Sequence, residues 1–84
     1  MKAYMVYPNN EFEEGCILAY SETRNGARQL GMRSGLWPGY DYVSFRAVRK
    51  PGYDKHYQGM AIIELNSELP VGAPEFFIPK FIGF

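Results

Sequence analysis

Cysteine and histidine are almost missing from this chain, with Cys16 and His56 the single example of each. One cysteine excludes an intramolecular disulfide and any zinc site built from several thiolates. One histidine leaves a metal site without a second imidazole, and only Asp54 stands near it in sequence. Net charge is missing too: nine Lys and Arg balance nine Asp and Glu, which argues against non-specific attraction to nucleic acid. No run approaches the ~18 apolar residues of a membrane span. Met1 to Tyr7 lacks the long apolar stretch of a signal peptide. The expectation is a cytoplasmic protein with no cofactor, no metal and no membrane contact. Repeats and low-complexity tracts are also lacking.

What is present is an apolar, aromatic chain. Hydrophobic residues make up 46% and aromatics 17%, too much for a disordered segment. Eighty-four residues fit one domain spanning 1–84. A domain of that size buries only roughly 60–65% of its unfolded surface, so a large internal pocket is not expected.

Hydrophobic periodicity divides the chain. Lys2 to Tyr7 reads as a strand ending at Pro8-Asn9-Asn10. Cys16 to Tyr20 is apolar throughout, so a second strand is expected there with cover on both faces. The acidic stretch Glu11 to Gly15 connects the two as a long hairpin loop. Ser21 or Thr23 can cap a helix from Arg24 to Ser34, stopped by Gly35. Ala27, Leu30, Gly31 and Ser34 lie on one face of it, and Gly26 and Gly31 would permit close approach to a sheet. Leu36-Trp37-Pro38-Gly39 suits a type II turn. Tyr42 to Val48 alternates and predicts a third strand, with Val43 and Phe45 facing Ala27 and Leu30. Pro51-Gly52 breaks the chain, Tyr53 to Gly59 is a loop or short helical turn, and Met60 to Leu65 is a fourth strand. Residues 66–84 form a tail in which Pro70, Pro74 and Pro79 exclude a helix. The tail is still too apolar to be left in water. The fold class is therefore α+β: a small two-layer sandwich, a mainly antiparallel sheet of three to four strands, one helix on one face and an extended apolar tail.

Catalytic constellations are weak. Cys16 sits among apolar strand residues, where a cysteine is usually a small hydrophobe and not a nucleophile. His56 reads as a loop histidine. Glu11, Glu13 and Glu14 read as a solvated loop or an acidic contact surface, not as the two carboxylates of a glycosidase cleft. Gly31, Gly35 and Gly39 match no phosphate-binding pattern. No enzyme is expected.

Charge is unevenly placed. Lys2 against Glu11, Glu13, Glu14 and Glu22 leaves residues 1–23 at −3. Residues 24–56 hold seven Lys and Arg against Asp41 and Asp54, for +5; residues 57–84 hold Lys80 against three Glu, for −2. Arg24 and Arg28 are one helical turn apart, and Arg46 and Arg49 follow on the third strand. The expectation is one continuous basic patch, which requires the helix to adjoin that strand. With Tyr42, Tyr53 and Tyr57 interleaved, and with Phe81 and Phe84 in the tail, these residues form the candidate partner-binding set. Arg and Tyr suit a protein hot spot. They also suit nucleic-acid backbone with base stacking, and the plain alternative is a surface whose arginines pair the acidic ends. The tail can complete the core of its own chain or build a homodimer.

The stretches Ala19-Tyr20-Ser21-Glu22-Thr23-Arg24-Asn25-Gly26-Ala27-Arg28 and Tyr42 to Pro51, with Asp54-Lys55, resemble small bacteriophage and prophage accessory proteins. The resemblance covers residues 2–57. It implies a viral or mobile-element origin and supplies no activity. Accessory proteins of this size often act as stoichiometric inhibitors of host machinery, anti-CRISPR proteins among them. That analogy implies a host or phage protein as partner, and a small nucleic-acid-binding or regulatory protein is the alternative.

Overall fold

The structure is a computed structural model that describes residues 1–8, 15–64 and 72–73. The described elements are β1 (Lys2–Pro8), β2 (Ile17–Ser21), α1 (Arg24–Arg33), β3 (Phe45–Arg49) and β4 (Ile62–Ile63). Single 3-10 segments run over Tyr42–Ser44 and Pro51–His56. The strands form one antiparallel sheet in the order β3-β1-β2-β4, with α1 packed across β3, β1 and β2. This is the α+β sheet-and-helix arrangement expected from the periodicity. The tail's residues 74–84, Phe81 and Phe84 among them, lie outside the described residues.

Strand alternation sorts the sheet into two apolar faces. On the helix side, Tyr4, Val6, Ile17, Ala19, Phe45 and Ala47 gather with Ala27 and Trp37. On the other side, Ala3, Tyr7, Cys16, Leu18, Tyr20 and Ile63 gather, with Tyr53 against them. Every residue from Ile17 to Tyr20 is buried, as an unbroken apolar strand requires.

Helix α1 starts at an N-cap. Thr23 is extended, and its Oγ1 accepts from the Gly26 N–H at 3.0 Å. The helix ends one residue before the expected limit. Ser34 caps it, donating from Oγ to the Gly31 carbonyl at 2.7 Å, and Gly35 follows at a φ of +79°. The two helix glycines do different work. A Cβ on Gly31 would stand 2.6 Å from Val6 Cγ1 and 3.1 Å from Phe45 Cδ1, so Gly31 sets the helix-to-sheet distance. A Cβ on Gly26 would meet the Ser21 and Thr23 hydroxyls, so Gly26 makes room for the cap and not for the sheet. At the next turn, the Tyr40 N–H donates to the Trp37 carbonyl and Gly39 has a φ of +91°, as a type II Pro-Gly turn demands.

Two strand boundaries differ from expectation. The third strand starts at Phe45, not Tyr42. The last described residue of β1, Pro8, lies opposite Phe45, so residues 42–44 have no described strand residue to pair with. They turn instead, with the Ser44 N–H donating to Asp41 O at 2.9 Å. Val43 is consequently 67% exposed and does not face the helix, whereas Phe45 is buried there beside Ala27 and Leu30. The fourth strand is a two-residue pairing, Ile63 with Leu18 and Ile62 with Ala19. Met60 lies outside it, 45% exposed.

Candidate functional site

Edge strand β3 and helix α1 meet along one side of the sheet. Arg24 and Arg28, from successive turns of α1, and Arg46, Ala47, Val48 and Arg49, consecutive on β3, line a single depression of about 450 Å³. The four arginines are thus brought together, although they derive from two elements separated by residues 34–44. The depression straddles the sheet edge. Ala47 belongs to the helix-side cluster and Val48 to the opposite one.

The four guanidinium groups differ in their engagements. Arg49 is held: Nη1 donates to Asp54 Oδ1 at 2.7 Å and to the Ala3 carbonyl at 3.2 Å, and Nη2 donates to Asp54 Oδ2. Its guanidinium also lies over the Tyr4 ring, 5.6 Å from the centroid. The hydrogen bonds to Arg49, with a further one from the Ala3 N–H, hold the Asp54 carboxyl below its ordinary value. Sequence reasoning passed over Asp54 as a partner of Arg49. The available signal was an acid five residues after an arginine, across a Pro-Gly break. Arg28 donates from Nη1 to Asn25 Oδ1 at 3.4 Å, and its Nε is buried without a hydrogen-bond partner. Among the described residues neither Arg24 nor Arg28 pairs with a carboxylate.

Tyr53 and Tyr57 do not line this depression. The Tyr53 carbonyl accepts from the Tyr20 hydroxyl at 2.9 Å, and the Tyr57 ring packs 5.1 Å from that of Tyr20. Both therefore belong to the sheet face opposite α1. Tyr42 lies in the 3-10 segment before β3.

Burial pushes the Cys16 thiol up to about 11, against a smaller lowering by Lys50, which makes it a poor source of thiolate. Among the described residues no cluster of three metal-ligating side chains occurs, and no helix is long and apolar enough to cross a membrane. No family model, no curated protein and no solved structure matches the chain.

Proposed function

We propose that this chain is a non-enzymatic binding protein that grips an acidic surface of a partner protein in the arginine-lined depression. In this reading it acts as a phage-type accessory protein that inhibits a host or phage protein. The observation that carries the reading is the placement of Arg24 and Arg28. Arg24 is the first residue of α1, where the helix dipole disfavours a cation. Arg28 stands one turn later, and like charges at that spacing repel. Two arginines that work against the helix and pair with no described carboxylate fit a surface kept for a partner.

A protein is favoured over nucleic acid because Tyr53 and Tyr57 lie on the other sheet face. They cannot offer bases a stacking platform beside Arg24 and Arg28. Affinity capture from a bacterial lysate, comparing wild type with Arg24→Glu/Arg28→Glu, tests the reading. A protein retained by wild type and lost by the variant is expected. Equal capture by both, or tight salt-sensitive binding of DNA or RNA that the variant abolishes, would reject it.

A further inference from the structure

We infer that the outer edge of β3 takes up an acidic, extended segment of the partner as an added strand, an inference that rests on the depression being the partner site. The sheet order leaves β3 at the end of the sheet, with no described strand beyond it. Its register fixes which backbone groups face outward. Lys50 N–H donates to Ala3 O, and the pairing runs Tyr4 to Arg49, Met5 to Val48, Val6 to Ala47 and Tyr7 to Arg46. In an antiparallel ladder hydrogen-bonded pairs alternate with non-bonded ones. Val48 and Arg46 therefore bond inward to β1, and the N–H and C=O groups of Ala47 and Arg49 point away from the sheet.

The depression lies along this same edge, since four consecutive β3 residues line it together with two from α1. A side chain or a point anion would need only a few of these residues. A strand laid along the edge would touch each of them in turn, with main-chain bonds supplying affinity and alternate side chains specificity. Its residues on the helix side would meet Arg24 and Arg28, since Arg49 is already held by Asp54; those on the other side would meet Val48. That pattern calls for carboxylates with at least one apolar residue among them. A second copy of this chain is disfavoured as occupant, because pairing β3 with itself would set arginines against arginines.

The test uses a fluorescent peptide of alternating Glu and Val, capped at both ends, and two versions N-methylated at either the Glu or the Val residues. The side chains are the same in all three, and only backbone donors differ. Strand addition predicts that one methylated peptide binds like the parent, while the other weakens by about ten-fold or more through lost main-chain bonds. It also predicts that the Ala47 and Arg49 amide protons exchange more slowly on binding, with those of Val48 and Arg46 little changed. Equal binding of all three peptides would overturn strand addition while leaving an acid-binding depression intact. Failure of the parent peptide to bind would also overturn it, and the capture experiment then decides the fate of the partner site separately.

Discussion

Gly31 is where helix and sheet come closest, and its replacement sets two effects against each other. Alanine is the better helix former by about 1 kcal/mol. Its methyl group would, however, lie 2.6 Å from Val6 Cγ1, and overpacking of this kind costs roughly 1–3 kcal/mol. Strain should win, so Gly31→Ala is expected to lower the denaturation midpoint, while Gln29→Ala on the exposed face of the same helix leaves it unchanged or raises it. Urea titrations of the two variants check this. Cys16 gives a second expectation at this scale. Its thiol is raised from 9.0 to about 11 in the fold, so the folded chain holds its proton over a range where the unfolded chain has lost it. Stability should be complete below about pH 9 and decline as pH rises towards 11. Cys16→Ala should make that decline shallower, leaving the part due to Tyr20, whose hydroxyl burial also pushes up, and denaturation curves across the alkaline range would reveal it. The burial of Cys16 was readable from its neighbours Ile17 and Leu18. The separate tasks of Gly26 and Gly31 were not, because both look alike until the cap and the sheet contacts are in place.

At the scale of elements, the turn from β3 into the second 3-10 segment is fastened by Arg49 and Asp54. Asp54 also receives the Ala3 N–H at 2.8 Å, so one carboxylate joins the start of β1, the end of β3 and the segment after it. Because its folded value is depressed, the carboxylate contributes stability that is present above its unfolded value, near 3.8. That contribution is lost as pH falls below 3.8 through the lower folded value. Asp54→Asn should therefore be less stable than wild type near neutral pH, and the gap should close in strongly acid solution. A gap that persists unchanged in acid would assign the role of Asp54 to packing alone. The alternation from Tyr42 to Val48 was a fair sign of a strand, but its start depended on where β1 ended. The register sets Phe45 opposite Pro8, the last residue of the neighbouring strand β1. Sequence periodicity speaks for an element and not for its partner, which is also why β4 proved shorter than its apolar run.

The whole molecule turns a split charge into a surface. The sequence already showed a basic middle between acidic ends, but whether Arg28 and Arg46 would meet depended on strand order, and nothing in the residues specifies that β3 lies at the edge beside α1. The tyrosines show the reverse: interleaved with the arginines in sequence, Tyr53 and Tyr57 were carried to the other face by the 3-10 segment that follows β3. The arrangement makes stability and binding separable. A carboxylate at position 24 would sit at the positive end of the helix dipole and four residues before Arg28, two changes each favourable by a few tenths of a kcal/mol to about 1 kcal/mol. Arg24→Glu should thus raise the melting temperature slightly. The same change should weaken capture of an acidic partner, since it puts a negative charge on the rim of the depression. A variant that gains stability and loses its partner would mark Arg24 as kept for binding at the expense of the helix. One that loses stability would show instead that Arg24 supports the fold, and the case built on its placement would fall.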